Sequence, residues 1–443
     1  MTAESDLHLA KLRRYVDLIG RGVDRAFEPA QAVELWEPAP PRFDAPPADG
    51  PWRPLPADHT WGGQQQWTYF RAVLSVPGQW QGGTVELRLD HEARYLVEAR
   101  DDYFAAGPEG QVFVEGQRLG AIDREHRRIA CDLAPGRTYQ ASAVFFAARC
   151  PCRHVLRAMG LVWVDEAARK LWHDLRVALE AAQVLDPSDL TRARLLEAVQ
   201  TAVAAVDVTG ITQRPASLQG GSGGGAGEAF YASIPAAQQA FDEAIAAIPP
   251  AGQRPQVFSV GHAHIDLAWL WPFEQTRHKI VRTFATQAGL LKRYPRWVFQ
   301  QSSPQAYRWL EEDAPDLFEE VRQMIAQGRW EADGAMWVEA DTNLTSGESL
   351  VRQLLYGKRY FRDKLGVDSR VLWLPDVFGY SAALPQLLKL ANVEAFITSK
   401  ISWSVFNRFP HDTFRWRGLD GTEIPTHFIT TPCTDGFWYT YNA

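Results

Sequence analysis

Cysteine is scarce in this 443-residue chain: Cys131, Cys150, Cys152 and Cys433 are too few and too unevenly placed for a disulfide framework. Cys150-Pro-Cys152 has no second Cys pair or His-x-x-x-His nearby to complete a metal or redox motif, so ordinary thiols are expected. A basic excess is missing too. Lys+Arg 46 against Asp+Glu 53 leaves −7, which removes the electrostatic footprint of nucleic-acid binding. No apolar run approaches the roughly 20 residues that cross a bilayer. The N-terminus, MTAESDLHLAKLRRYVDLIG, mixes charges among its apolar positions instead of building a signal-peptide core. The expectation is a cytoplasmic protein with no nucleic-acid or membrane partner; a homo-oligomer is left open. What the chain does have is 46% hydrophobic residues against 22% charged, enough for two to four domains at roughly 100–200 residues each. It also has 17 Trp, and indole faces line sugar subsites as well as cores.

The spacing of Leu7, Leu9, Leu12, Val16, Ile19 and Val23 predicts an amphipathic helix over residues 4–26, followed by an extended Pro-rich connector from Pro29 to Pro56. From about Trp61 the runs WTYFRAVLSV, GTVELRLD, ARYLVEAR, QVFVEG, RRIACDL and TYQASAVFFA are β-type, separated by turn residues, as in an antiparallel sandwich. Helical spacing returns over 166–208, with a break at Asp186-Pro187-Ser188, then a Gly-rich linker and a helix from about Pro235 to Ile248. From Gln256 strands and helices alternate, which argues for a parallel β/α sheet, most simply a barrel. The fold class is thus multidomain α+β. It comprises a helix and connector over 1–60, a β-sandwich over 61–165, a helical linker region over 166–254, and an incomplete parallel β/α barrel over 255–443.

Chemically capable residues gather where these later strands end, the side on which α/β proteins place their sites. In Gly261-His262-Ala263-His264-Ile265-Asp266, side chains 262, 264 and 266 share one face of an extended strand. Two imidazoles and a carboxylate in a row suit a divalent metal, with Zn²⁺, Mn²⁺ and Co²⁺ unresolved; hydrogen-bonded core histidines are the alternative. Asp376 ends the apolar run Leu372-Trp373-Leu374-Pro375 and is solvated, an N-cap, or paired with a cation such as that metal. Glu339 and Asp341 share a face and either hydrogen-bond sugar hydroxyls or form a solvated cluster at a helix entry.

Together GHAHIDLAWLWPF, GAMWVEADTNLTSGESLVRQLLYGKRYF, WLPDVFGYSAALPQLLKLANV and FPHDTFRWRGLDGTEIPTHF resemble glycoside hydrolase family 38, the α-mannosidases, especially their cytosolic type. The resemblance runs from about Val257 to Phe428 and is weaker upstream. It implies a zinc-dependent retaining glycosidase that removes terminal α-linked mannose from oligosaccharides, on a barrel of the glycoside hydrolase/deacetylase type. Residue by residue, it implies His264 and Asp266 as zinc ligands and Asp376 as third ligand and catalytic nucleophile. It further implies a sugar-stacking role for Trp269, a basic site residue at Lys400 and a substrate-contacting Tyr441; Glu339 and Asp341, from their shared face, stand beside these as substrate-binding candidates. Family members carry their general acid/base carboxylate and a fourth, histidine ligand further along. The 188 residues from Gln256 to Ala443, against roughly 250 in a complete barrel, accordingly suggest an N-terminal fragment, with activity in question. Two other classes stand beside this one. A non-catalytic glycan-binding fragment is the first; an amidohydrolase-type barrel is the second, but it needs later histidines, and after His278 only His411 and His427 remain.

Overall fold

In the computed structural model, residues 3–95, 107–148, 151–211, 226–250, 252, 256–269, 271–399 and 409–429 are described. The chain divides into two compact units, Met1–Gln256 and Val257–Ala443.

In the first unit the repeat of Leu12, Val16 and Ile19 forms helix α1 (Ala3–Arg21), which buries that face. The helix stops short of residue 26. Asp24–Pro29 (β1) and Gln31–Ala39 (β2) are strands, so the first part of the Pro-rich stretch belongs to the sandwich and is not a connector. The remaining strands are β3 (Arg53–Pro54), β4 (Thr60–Trp61), β5 (Trp67–Ser75), β6 (Thr84–Tyr95), β7 (Glu109–Val114), β8 (Gln117–Ile122), β9 (Arg128–Cys131), β10 (Thr138–Phe146) and β11 (Cys152–Val164). They form two antiparallel sheets, β1-β11-β6-β9 with β4 alongside β11, and β3-β2-β5-β10-β7-β8. Strand alternation sends Phe70, Ala72 and Leu74 inward to meet Leu87, Leu89 and Leu161 of the other sheet. On the opposite face of β5, Trp67 and Tyr69 pack with Trp36, Ala45 and Trp52. Proline cannot extend a ladder, but its fixed φ lets the segment after β2 serve as a cover there, with the Tyr69 hydroxyl donating to the Pro40 carbonyl.

Helices α2 (Glu166–Val184), α3 (Leu190–Ala205) and α4 (Glu228–Ala246) share a second core with α1. Asp165 caps α2 by accepting from the Ala168 amide at 2.9 Å. Helix α4 starts seven residues before Pro235, the expected first turn. Burial of Phe230 and Ile234 ahead of the proline outweighs the hydrogen bond it removes.

The second unit keeps the expected alternation with much shorter strands: β12 (Gly261–His262), α5 (Phe273–Arg293), β13 (Phe299–Gln300), α6 (Pro304–Asp313), α7 (Pro315–Ala326), β14 (Trp330–Glu331), α8 (Gly347–Tyr360), β15 (Val371–Leu374), α9 (Leu384–Leu390), β16 (Ala395–Thr398), β17 (Thr413–Arg417) and β18 (Glu423–Phe428). One sheet is parallel, β12-β13-β14. The other, β15-β16-β18-β17, is parallel except for the terminal β17–β18 hairpin. Among the described residues no strand pairing joins the two. Asp333, just past β14, spans the gap instead, taking the Ser369 hydroxyl and, at 3.4 Å, the Val371 amide. Gly357 in α8 is a close-approach glycine, because a Cβ there would sit 2.2 Å from the Ala335 carbonyl oxygen. Its absence lets the helix hold the 335–341 loop against the sheet ends.

Candidate metal centre

Beyond β12 the strand pairing ends, and the residues that follow His262 run on as a loop. His262 turns inward: its Nδ1 lies 3.1 Å from the Gln300 carbonyl and its Nε2 accepts from the Trp373 indole at 3.2 Å. A ring that accepts at one nitrogen and donates at the other is neutral, and burial also lowers its pKa. His262 is therefore a hydrogen-bonded core histidine. The loop after it is pinned from behind, with Trp271 Nε1 donating to the Asp266 carbonyl at 3.3 Å and Thr276 Oγ1 to the Leu267 carbonyl at 2.6 Å.

That pinning presents His264 and Asp266 to Asp376. Asp266 Oδ1 and Asp376 Oδ2 each lie 3.4 Å from His264 Nε2, and one donor atom from each of the three residues falls within 4.8 Å of the others. Asp376 sits on the turn after β15. Tyr380 braces that turn by donating to the Leu374 and Val377 carbonyls at 3.1 and 2.9 Å, and Ser399 by donating to the Pro375 carbonyl at 2.8 Å. Gly379 completes the turn, since a Cβ there would meet Asn343 Nδ2 at 2.6 Å.

On its other side, His264 Nδ1 lies 3.1 Å from Glu339 Oε1. Side chains 264, 376 and 339 are 13%, 16% and 15% exposed. Burial pulls the His264 pKa down, but Asp266, Asp376 and Glu339 more than offset it, and the imidazole is pushed up to about 12. Three carboxylates around one ring require a cation at this point, a proton on the ring or a metal on Nε2. Imidazole and carboxylate oxygens are the donor set of zinc and its neighbours, so these residues fit such an ion.

The other candidates fall into place less directly. Asp341 Oδ1 accepts the amides of Asn343 and Leu344 at 2.9 and 3.0 Å, the local turn role that was the alternative to sugar binding. Glu339 is turned onto His264, which the expectation of sugar hydroxyls did not anticipate. Trp269 is 51% exposed, edge-on to Trp271 at 5.5 Å. Lys400, Tyr441, Cys150 and Cys433 lie outside the described residues, as does the Gly-rich linker over 212–225. Asp333 escaped sequence reading, because a lone Asp in WEADGA carries no spacing signal. Burial raises its pKa, and its bonds to the Ser369 hydroxyl and to backbone amides counter that rise.

Residues 254–442 match the glycosyl hydrolases family 38 N-terminal domain. This places the second unit in glycosyl hydrolases family 38. Within that family 38 region, 173 residues are 48% identical to "Alpha-mannosidase G" of Dictyostelium discoideum, covering 39% of this chain and 16% of that protein. Over 172 residues the identity is 48% to "Alpha-mannosidase" of Saccharomyces cerevisiae and 42% to "Alpha-mannosidase 2C1" of Homo sapiens, each again covering 39% of this chain and 16% of the relative. The chain thus spans about a sixth of the length of these curated relatives. A solved alpha-mannosidase from Enterococcus faecalis V583 overlays 38% of this chain and 19% of its own at 24% identity and a TM-score of 0.33, an overlap too small to argue from. No helix among the described residues is long and apolar enough to cross a membrane.

Proposed function

We propose that the family 38 domain carries the metal site and nucleophile of a zinc-dependent retaining α-mannosidase, acting on terminal α-linked mannose of oligosaccharides in the cytoplasm. The observation that carries this reading is the approach of Asp376 Oδ2 to within 3.4 Å of His264 Nε2, beside Asp266. A carboxylate that shares a metal with a histidine and an aspartate, at the exposed end of a parallel strand, is placed to serve the ion and a sugar carbon at once. The names of the relatives and the family match support the substrate class.

In this reading His264, Asp266 and Asp376 hold the ion, which when bound supplies Lewis-acid stabilisation of charge developing on the sugar. Asp376 would attack the anomeric carbon as the bond to the leaving oxygen breaks, an aryl oxide departing with the electron pair. Water would then add at that carbon, freeing the carboxylate and giving its proton to solvent, with net retention. Trp269 offers an exposed indole face for the sugar ring. The two parallel sheets belong to one β/α barrel, with Asp333 at their seam.

The test is hydrolysis of an aryl α-mannoside by the purified chain, beside the aryl β-mannoside and an anilide. Release from the α-mannoside alone, lost on chelation and restored by zinc, is the expected result. Cleavage of the anilide instead would return the amidohydrolase reading. Mannose binding with no turnover under any metal would favour a glycan-binding domain.

A further inference from the structure

Glu339 stands apart from the three residues that face the presumed ion. It contacts the opposite nitrogen of His264, with Oε1 at 3.1 Å from Nδ1, while Nε2 faces Asp266 and Asp376. One imidazole cannot present the same nitrogen to both, so Glu339 is not a fourth member of that set. Its second oxygen, Oε2, is buried and has no hydrogen-bond partner among the described residues. A buried carboxylate with half its acceptor capacity unused is unfavourable as mere packing. It is understandable if its charge serves the neighbouring ring.

We propose that Glu339 is a positioning residue for the metal centre: it holds His264 in the tautomer with the proton on Nδ1, leaves the Nε2 lone pair free for a divalent ion, and raises the donor strength of the ring. Carboxylates behind metal-bound histidines act in this way. The backbone is built for it. Gly357 lets α8 hold the loop that carries Glu339, Val338 N donates to Gln353 Oε1 at 2.9 Å, and Trp337 N donates to the Gln353 carbonyl at 2.9 Å, so both residues before Glu339 are fixed by the same helix. This inference rests on the metal reading of His264, Asp266 and Asp376 above.

The test uses the full chain and the metals alone. Zinc affinity is measured by competition with a chromophoric chelator, and the visible absorption of the cobalt-loaded protein is recorded, for the parent, Glu339→Gln and Glu339→Ala. Glutamine keeps an acceptor for Nδ1–H but not the charge, so Glu339→Gln should bind zinc about tenfold more weakly and Glu339→Ala up to about a hundredfold. Cobalt bands should shift in both variants, while the metal-free unfolding midpoint of the isosteric Glu339→Gln stays at the parent value. Glu339→Gln and Glu339→Ala that bind zinc as tightly as the parent, with unchanged cobalt spectra, would overturn the positioning role and leave the metal site intact. A parent chain that binds neither zinc nor cobalt would instead overturn the metal reading itself.

Discussion

Buried charge is handled in opposite ways in the two units. In the first, acids and bases are matched: Arg128 grips Asp24 with two bonds of 2.6 and 2.7 Å, Arg169 meets Glu86 at 2.6 Å, and Arg88 pairs with Asp90. Its buried histidines carry no charge. Burial lowers the pKa of His91 to about 3, helped by His154 once that ring protonates and by the charge of Arg127, and burial likewise lowers that of His154 to about 4. In the second unit one imidazole faces three carboxylates, those of Asp266, Asp376 and Glu339. Matched charge is how a sandwich closes over ionic groups without an uncompensated ion. Carboxylates gathered on one ring repel one another unless a cation joins them, and such crowding marks a candidate ligand site.

The sharpest way to break this contrast is Asp376→Asn. Turnover of an aryl α-mannoside should fall at least about a thousandfold, as expected on removing a nucleophile. The metal-free protein should unfold at an equal or higher temperature, because one of the crowded carboxylates has lost its charge. Retained turnover would remove Asp376 from the nucleophile role. In the first unit the same kind of change should do the reverse. Glu86→Gln removes the nearer of the two carboxylates that Arg169 meets and should lower stability by about 2 kcal/mol in urea unfolding, with no effect on zinc binding.

Acid sharpens the comparison further. A histidine whose folded pKa is depressed contributes stability that is complete above the unfolded value near 6.5 and is lost as pH falls toward the folded value. Amide exchange protection in β6 and β11, which carry His91 and His154, should therefore decline between about pH 6.5 and pH 4. Replacing both histidines by phenylalanine should flatten that decline. The smallest effect is expected at the exposed Trp269: Trp269→Ala should change stability by no more than about 0.5 kcal/mol while raising the KM for the mannoside.

Sequence periodicity was a good guide wherever one face of an element is buried. The repeat of Leu12, Val16 and Ile19 buries its face in Ala3–Arg21, and the run WTYFRAVLSV forms as Trp67–Ser75. It failed where backbone hydrogen bonding, not side-chain pattern, decides. The strand expected through VFSVGHAHID pairs only at Gly261–His262, and WEADGAMWVEAD only at Trp330–Glu331, because these segments are held by side chains reaching into their loops. Residues 29–39 read as connector because their prolines mask a strand that pairs at long range.

By itself the sequence determined the kind of chemistry available: a His-x-Asp pair, a distant aspartate after an apolar strand, and the motifs of a family 38 domain, all local in the chain. Spacing alone left two histidines level, and the tertiary structure decided what surrounds each. His262 and His264 are two residues apart and equal as ligands on paper. One is enclosed by Trp373 and Gln300 and the other by three carboxylates, and those partners lie 38 to 112 positions away except for Asp266. The role of an ionisable side chain is set by the field and hydrogen bonds around it, and these are supplied by residues that only folding brings near.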